Sequence, residues 1–394
     1  MVGVMDHSLV LLKEGPHRVL KGSPWVYRTE LEPWEAEPGS VVVLKTRQGR
    51  VLGQGFFNPR SMIAVRMVAF GAGAVVDSDL FRERVKAAAK WRTLLAPGRD
   101  AYRVIHSEAD GIPGLIVDKY GPMLMVQVGS LGLLPFMDAI VDALVEVFQP
   151  EGIYEQGDLR VRDREGLPRE DRVLWGQLIP EVEIHEHGVS LGVNLVRGQK
   201  TGHFLDQYVN RGRVAQLAPG RQVFDAFCHT GAFGLICAAH GARSVVGVDV
   251  DPEAIARAQQ NALSNNLSPT VDFVVENAFD WLRRESDQGP HYDLGILDPP
   301  AFTKSKQSLS QAIKGYKEIN LRAMKLIRPG GFLATASCSY HLSEADFISV
   351  IQSCAHDSHR QARIVEVLGQ SPDHPILPAL PESRYLKCLI LAID

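Results

Sequence analysis

The chain has 394 residues, of which 45% are apolar and 22% are charged, as is usual for a globular protein of two or three domains. Its formal net charge of −4 excludes a polycation, so any binding of nucleic acid must use a local basic patch. The five cysteines fit neither a disulfide framework nor metal-ligand spacing, which favours a reducing cytoplasm, and neither a signal peptide nor a membrane span is predicted.

The first predicted domain, residues 1–75, is a small all-β unit with turns at Pro38-Gly39 and Gln48-Gly49. Its clearest strands are Val41–Leu44, Val51–Phe57 and Met62–Arg66. Its second half, residues 38–75, has no Asp or Glu. The cations of this half are Lys45, Arg47, Arg50, Arg60 and Arg66. Such unopposed charges suit contacts with RNA phosphates. Alternatively, they are only the solvent-exposed face of a β-barrel, which explains the charges equally well.

The second predicted domain, residues 76–184, mixes helices with strands. Apolar residues recur at helical spacing over 78–96, and Pro97-Gly98 ends that helix. The elements that follow are strands at Leu115–Asp118 and Leu124–Val128 and a helix over Leu134–Phe148. The dense mixed charges of residues 158–172 indicate an exposed loop before the last domain.

In the third predicted domain, residues 185–394, strands alternate with helices, which predicts a mostly parallel sheet. The strand candidates are Val223–Asp225, Val245–Asp249, Val271–Val275, Leu294–Asp298 and Phe332–Ala336. Helices are predicted at about 232–240, 252–264, 310–327 and 344–355. The last two strands, Arg363–Leu368 and Tyr385–Ala392, are expected to pair as an edge. This arrangement is typical of the seven-stranded, Rossmann-like methyltransferase variant of the doubly wound fold.

A cofactor site is predicted where the first strand of this sheet turns into a helix, in the segment Asp225–Gly234. Glycines there let the backbone approach a ligand closely, and ligands of such sheets bind beyond the carboxyl ends of the strands. The segment is neither G-x-G-x-x-G nor a P-loop, and Asp225 would oppose a phosphate. Asp225 suits the cationic amino-acid tail of S-adenosylmethionine. The other candidate contacts of the segment are Phe227, Thr230 and Gly231.

The next two strand ends also carry polar candidates. Asp249 is placed to accept both ribose hydroxyls of the cofactor, and Asn277-Ala278 to reach the adenine edge. Asp251-Pro252 has the pattern of a helix cap, with proline at the first helical position. Taken singly, Asp249 and Asn277 are more often residues that only cap turns, and their order along successive strands favours the cofactor interpretation.

Asp298 and Cys338 are the candidate catalytic residues, at the ends of the fourth and fifth strands. Pro299-Pro300 stiffen the backbone after Asp298. Cytosine C5 is a poor nucleophile, but a thiolate added at C6 makes it able to attack a sulfonium methyl group. Loss of the C5 proton then allows the thiol to leave. Asp298 is suited to hold or protonate N3, whereas a lone cysteine is more often a small buried hydrophobe.

Two further patterns bear on these sites. The segment Gln199–Gln207 is predicted to fold over the cofactor, or alternatively to be a polar connector into a helix. Its candidate cofactor contacts are Lys200, Thr201, Gly202 and Phe204. Amino-methylating enzymes often have an aromatic residue directly after the two prolines, and here Ala301 precedes Phe302.

These segments together resemble the bacterial 23S rRNA cytosine-C5 methyltransferases of the large-subunit type, over nearly the whole chain. The matching segments are His106–Asp118, Gln199–Gln207, Asp225–Gly234, Asp298–Lys306, Gly315–Asn320 and Ser337–Ser339. The resemblance implies a multidomain α/β protein: an N-terminal PUA-like small β-barrel that binds RNA, a central α+β domain and a C-terminal class I methyltransferase domain. It also implies S-adenosylmethionine as methyl donor, Cys338 as the single catalytic cysteine and 23S rRNA or a large-subunit precursor as substrate.

Two alternatives stay open at this stage. One keeps the cofactor but transfers the methyl group to another acceptor, such as a guanine or adenine nitrogen of rRNA. The other is a non-catalytic RNA-binding assembly factor. The sequence leaves open the target nucleotide, the base that removes the C5 proton, the assembly state of the substrate and the oligomeric state, although similar proteins often form dimers.

Overall fold

The computed structural model describes residues 8–158, 160–198, 201–303 and 306–394. The chain divides into two compact units. The first comprises the chain up to Val182 together with Val193–Leu205 and Pro372–Ser383, and the second comprises Glu183–Gly192, Asp206–Ser371 and Arg384–Asp394. Within the described ranges, no helix has both the length and the apolar character that a membrane crossing requires. The domain limits predicted from the sequence remain a prediction.

The first unit opens with a five-stranded sheet that confirms the predicted all-β segment. Its strands are β1 (Leu9–Leu12), β2 (Trp25–Tyr27), β3 (Val41–Thr46), β4 (Val51–Phe57) and β5 (Ile63–Phe70). Their order is β1-β3-β4-β5-β2, with β1 parallel to β3 and the other neighbours antiparallel. Val42 and Leu44 face a core that also contains Val26 and Phe57. Residues of β3 on the opposite face, such as Lys45, are partly exposed.

A second five-stranded sheet in the same unit is covered by two long helices. Its strands are β6 (Ala101–His106), β7 (Leu115–Tyr120), β8 (Met123–Val128), β9 (Gly152–Glu155) and β10 (Arg172–Gly176), in the order β10-β9-β8-β7-β6. The helices are α1 (Ser78–Leu95) and α2 (Met137–Phe148). The Asp77 side chain caps α1 by accepting from the Leu80 amide at 2.8 Å. Helix α2 provides the crossover between the parallel strands β8 and β9.

The prediction of an exposed loop over residues 158–172 was wrong in part. Most of the described residues of the segment are exposed, but it contains helix α3 (Arg160–Glu165) and the start of β10. The Glu155 carboxylate on β9 is fully buried and lies 2.6 Å from the guanidinium groups of both Arg162 and Arg172. A buried carboxylate needs such partners, so part of the charge in this segment serves the interior of the unit.

Next along the chain come a two-stranded hairpin and a seven-stranded sheet. The hairpin strands are β11 (Glu181–Glu186) and β12 (Val189–Asn194). The sheet strands are β13 (Gln222–Ala226), β14 (Ser244–Asp249), β15 (Val271–Val275), β16 (Tyr292–Leu297), β17 (Ile327–Ser337), β18 (Ala362–Leu368) and β19 (Lys387–Ile393). Their order is β15-β14-β13-β16-β17-β19-β18, in which β19 runs antiparallel to both neighbours, β17 and β18, and the other neighbouring pairs are parallel.

The predicted strands of this sheet are thereby confirmed, including the edge pair β18 and β19. The helices of the second unit are α4 (Tyr208–Ala215), α5 (Ala232–Ala239), α6 (Pro252–Ser264), α7 (Ala278–Ser286), α8 (Leu309–Leu326) and α9 (Glu344–Asp357). Helix α7 was not predicted from the sequence, and α4 was expected only in the alternative that made Gln199–Gln207 a connector into a helix. One large core cluster includes Phe224 of β13, Trp281 of α7, Tyr316 of α8 and Phe347 of α9. Because β13 to β17 are parallel, their carboxyl ends meet at one edge of the sheet.

Candidate active site

The turn from β13 into α5 has an unusual backbone. Phe227 and His229 have φ angles of 67° and 51°, in the left-handed region that costs non-glycine residues energy. Gly231 has φ 80°, and a Cβ atom there would lie 2.6 Å from the Phe273 ring. The amides of Phe227 and Cys228 both donate to the Val248 carbonyl on β14, at 2.9 and 3.0 Å. The turn is therefore a fixed, close-fitting cradle at the carboxyl edge of the sheet.

Asp225, at the end of β13, is buried beneath this turn. Its Oδ2 accepts from the Gly234 amide of α5 at 3.0 Å, whereas its buried Oδ1 has no hydrogen-bond partner. Burial raises the pKa of Asp225 to about 8, and the charges of Asp298 and Asp249 add to the rise. An unpartnered carboxylate oxygen fits a ligand that brings a positive charge, which is the ammonium group of S-adenosylmethionine in the predicted site.

Asp225→Asn is expected to stabilise the cofactor-free protein increasingly as pH rises from 5 to 8. The folded-state pKa lies above the ordinary value, so the folded protein keeps a proton that the unfolded chain loses, and wild-type stability falls across this window. The gain in unfolding free energy should be at least about 1 kcal/mol larger at pH 8 than at pH 5, measured by calorimetry. Asp272→Asn, at an exposed position of β15, is the control. A gain that does not change with pH would contradict the expectation.

Asp249 and Asn277 organise the backbone at the next two strand ends. The Asp249 oxygens accept from the amides of His229 at 2.8 Å and Asp251 at 3.0 Å, which ties β14 to the cofactor turn. Asp251 caps α6 ahead of Pro252, as predicted. Asn277 is exposed and caps α7 by accepting from Phe279 at 2.9 Å, and Ala278 is buried. Asp249 and Asn277 thus both cap the local backbone, as the alternative interpretation of each expected. Contact with the cofactor stays a prediction for Asp249, Asn277 and Ala278.

Asp298 follows β16 and is held by a side-chain relay from α4 and the turn before it. Its Oδ1 accepts from Gln207 Nε2 at 2.7 Å, and Gln207 Oε1 accepts from Asn210 Nδ2 at 2.5 Å. Gln207 and Asn210 are both buried, whereas Asp298 is partly exposed. The relay fixes the Asp298 carboxylate, and the residue is partly exposed at the strand edge.

Cys338 follows β17 and lies beside the loop that carries Asp298. Its Sγ is 4.0 Å from the carbonyl oxygen of Pro299, the residue next to Asp298. Cys338 is partly exposed, whereas the flanking Ser337 and Ser339 are fully buried. The other cysteines, Cys228, Cys237, Cys354 and Cys388, are buried, as expected for small apolar residues. The structure therefore brings together the two residues predicted to be catalytic.

An aromatic cluster joins the turn between β13 and α5 to the loops that follow β16 and β17. Phe302 contacts Phe227 and Phe279, and its ring centroid is 4.6 Å from that of Tyr316. The Tyr316 hydroxyl lies 2.8 Å from Ser339 Oγ, directly beyond Cys338. Phe302 is thus partly buried, and its ring packs against other aromatic residues of the protein.

The predicted cofactor-covering segment is divided between the two compact units. Gln199 and Lys200 lie outside the described residues. Thr201, Gly202 and Phe204 belong to the first unit, where the Thr201 hydroxyl donates to Asp118 Oδ2 at 2.6 Å and lies 2.9 Å from the Tyr120 hydroxyl. Thr201 thus anchors its segment, and cofactor contacts by these four candidates stay predictions.

The basic residues of the first sheet do not form one unopposed set. Arg66 is largely buried and pairs with Glu108 at 3.0 Å and Glu165 at 3.5 Å, so the expectation of five unopposed cations was wrong for this residue. Residues 38–75 contain no carboxylate, and the two partners of Arg66 come from later in the chain. The exposed members are Arg47, Arg50 and Arg60, with Lys45 partly exposed.

The sequence analysis did not single out Gln207, Asn210, Tyr316 or Lys387. Gln207 and Tyr316 lie within segments that carried the family resemblance, which was the available signal for them. Lys387 had no signal, because its role depends on the pairing of β19 with β17, where Lys387 faces Ser337.

Two segments of the chain match known protein families. Residues 159–391 match the family of S-adenosylmethionine-dependent methyltransferases, and residues 9–70 match a PUA-like domain. The seven-stranded sheet and the cofactor turn agree with the first match, and the five-stranded sheet of β1 to β5 agrees with the second. The chain is an S-adenosylmethionine-dependent methyltransferase with an N-terminal PUA-like domain.

Relatives of known name match almost end to end. Ribosomal RNA large subunit methyltransferase I of Photobacterium profundum is 37% identical over 97% of this chain and 98% of that protein. The protein of the same name from Pseudoalteromonas atlantica is 38% identical over 98% of this chain and 99% of its own length. A solved structure from Streptococcus mutans, described as a SAM-dependent methyltransferase, shares the fold with TM-score 0.83 and 21% identity, covering 98% of this chain and 99% of that one. The chain belongs to the ribosomal RNA large subunit methyltransferase I family.

Proposed function

We propose that the protein transfers a methyl group from S-adenosylmethionine to C5 of a cytidine in 23S rRNA, through a covalent adduct with Cys338. The observation that carries the proposal is the Cys338 sulfur 4.0 Å from the Pro299 carbonyl, on the loop that begins with Asp298. A nucleophile and an acid at neighbouring strand ends are what addition to a pyrimidine ring requires. The names of the relatives support an acceptor in the large-subunit rRNA.

In this proposal the cofactor lies over the turn from β13 to α5. When bound, it supplies a methyl group on a sulfonium ion. Asp225 meets its positively charged tail and Asp249 its ribose hydroxyls. The other residues proposed to hold the cofactor are Lys200, Thr201, Gly202, Phe204, Phe227, Thr230, Gly231, Asn277, Ala278 and Asp298.

The catalytic residues then act in sequence on a cytosine that has left its stack. The Cys338 thiolate bonds to C6 while Asp298 holds and protonates N3, which raises the electron density at C5. After methylation, a base takes the proton from C5, Cys338 is expelled as thiolate when the C5–C6 double bond re-forms, and the N3 proton returns to Asp298. The Gln207 contact keeps the Asp298 carboxylate directed at one position through these steps.

For RNA binding, we propose phosphate contacts by the exposed cations of the PUA-like domain. Arg47, Arg50 and Arg60 are exposed and Lys45 is partly exposed, whereas Arg66 is already engaged by two carboxylates. Since the proposed substrate is bacterial rRNA, we place the protein in the cytoplasm. A homodimer, as in similar proteins, stays a prediction.

The proposal is tested by mapping methylated cytidines in 23S rRNA from cells with and without this protein. Nuclease digestion and mass spectrometry should find one 5-methylcytidine that disappears when the gene is deleted and returns with the wild-type gene. A missing methyl group on a guanine or adenine nitrogen would instead support the second acceptor class. Unchanged rRNA together with no binding of S-adenosylmethionine would support a non-catalytic assembly factor.

The structure offers a reason to prefer the C5 reaction over methylation of an exocyclic amine. The latter needs an aromatic residue that stacks on the flipped base, and Phe302 is the aromatic residue nearest the two prolines. Its ring is engaged with Phe227, Phe279 and Tyr316. Cys338, the nucleophile that the C5 reaction needs, is partly exposed at the same edge of the sheet.

A further inference from the structure

Lys387 is a buried lysine directly beneath the turn that carries Cys338. It begins β19, faces Ser337 of β17 across the sheet and is 4% exposed. Its Nζ donates to the carbonyl oxygen of Ser339 at 2.7 Å and to that of Tyr385 at 2.9 Å. One ammonium group thus links the residue after Cys338 to the start of the neighbouring antiparallel strand.

This ammonium has no carboxylate among its hydrogen-bond partners in the described part of the chain; both acceptors are neutral carbonyls. The pKa of Lys387 is lowered to about 8, chiefly by burial and also by the nearby Arg384, while the charges of Cys338 and Glu344 oppose the fall. Glu344, at the start of α9, is itself paired with Arg384. The Tyr316 hydroxyl approaches the same turn from α8 and bonds Ser339 Oγ.

A buried cation without a carboxylate partner is costly to keep, so an anion that forms beside it is stabilised. Cys338 is such a group. Its thiolate charge raises the pKa of Lys387, and by the same attraction the ammonium of Lys387 favours the thiolate. A positive charge near a cysteine favours the thiolate, which is the nucleophilic form.

We propose that Lys387 is a positioning residue that fixes the Cys338 turn through the Ser339 carbonyl and stabilises the Cys338 thiolate. This rests on the proposed role of Cys338 as the nucleophile. Lys387 itself touches neither the base nor the cofactor in this proposal. Its contribution is to make the sulfur reactive near neutral pH before RNA binds.

The test measures alkylation of Cys338 by iodoacetamide from pH 6 to 9.5, with the modified peptide quantified by mass spectrometry. Lys387→Gln keeps a donor for the Ser339 carbonyl but removes the charge, and Lys387→Arg keeps the charge. We expect the midpoint of the Lys387→Gln profile to rise by about one pH unit, with alkylation at pH 7 several-fold slower. Lys387→Arg should keep a midpoint close to wild type. Lys325→Gln, at the end of α8, is the control for loss of a lysine.

The neutral variant Lys387→Gln and the charged variant Lys387→Arg together separate the effect of the charge from that of the hydrogen bond. A Lys387→Gln midpoint within about 0.2 pH units of wild type would overturn the inference, as would equal shifts in Lys387→Gln and Lys387→Arg. Because alkylation needs neither RNA nor cofactor, its outcome is independent of the proposed reaction. Full methylation by Cys338→Ala would refute the proposed function, whereas an inactive Cys338→Ala with an unshifted Lys387→Gln would refute only the role of Lys387.

Discussion

Cys338→Ala is expected to lower the rate of rRNA methylation by at least about 10³-fold, since covalent addition to C6 is what makes C5 reactive. Alanine fills nearly the same space at the end of β17, so the variant should fold and bind S-adenosylmethionine like the wild type. The measurement is transfer of a labelled methyl group to unmethylated 23S rRNA under single-turnover conditions, with cofactor affinity determined separately by calorimetry.

RNA that contains 5-fluorocytidine provides a direct test of the covalent bond. Fluorine at C5 cannot leave as a proton does, so the adduct between Cys338 and C6 should accumulate as a stable protein–RNA complex. The complex should form with wild type and be absent in Cys338→Ala. Cys354→Ala is the matched control, because Cys354 is buried in the core and burial raises its pKa to about 12. An adduct that persists in Cys338→Ala would place the nucleophile elsewhere.

Asp298→Asn is expected to lower kcat by about 10²- to 10⁴-fold, because asparagine still accepts from Gln207 but cannot protonate N3. The rate of adduct formation with 5-fluorocytidine RNA should fall by a similar factor, since N3 takes up charge as the sulfur adds to C6. The two rates are measured by rapid quench and gel electrophoresis, and S-adenosylmethionine binding by calorimetry.

Asp293→Asn is the matched control for this change, since Asp293 lies at the opposite, amino-terminal end of the same strand. Its carboxylate accepts from the Gln222 amide at 2.8 Å and pairs with Arg328 at 2.9 Å. Partial burial raises the pKa of Asp293, but these contacts outweigh it and the pKa is lowered. The control should lose stability and keep its kcat. If Asp298→Asn weakens cofactor binding while adduct formation proceeds at the wild-type rate, Asp298 serves the cofactor alone.

In this chain, charge patterns are less informative about the structure than the residues at the ends of buried strands. Asp298 and Cys338 could be predicted because each follows an apolar run that only a buried strand explains, and parallel strands bring their carboxyl ends together. Arg66 and Arg162 belong to equally charged segments, yet both enter buried ion pairs. Their partners, Glu165 and Glu155, are identified only by the fold, since a sequence window does not show which carboxylate a long side chain will reach.

Local patterns in the chain by themselves determined the strands of the seven-stranded sheet and predicted both a cofactor site after β13 and the two catalytic candidates, because hydrophobic periodicity and turn residues act over a few positions. The tertiary structure alone decided that Gln207 holds Asp298 and that Lys387 supports the turn after Cys338. Residue 387 lies 48 positions from Ser339 along the chain, and the two meet only because β19 returns antiparallel to β17. Contacts of that kind depend on strand order and register, which no local pattern encodes.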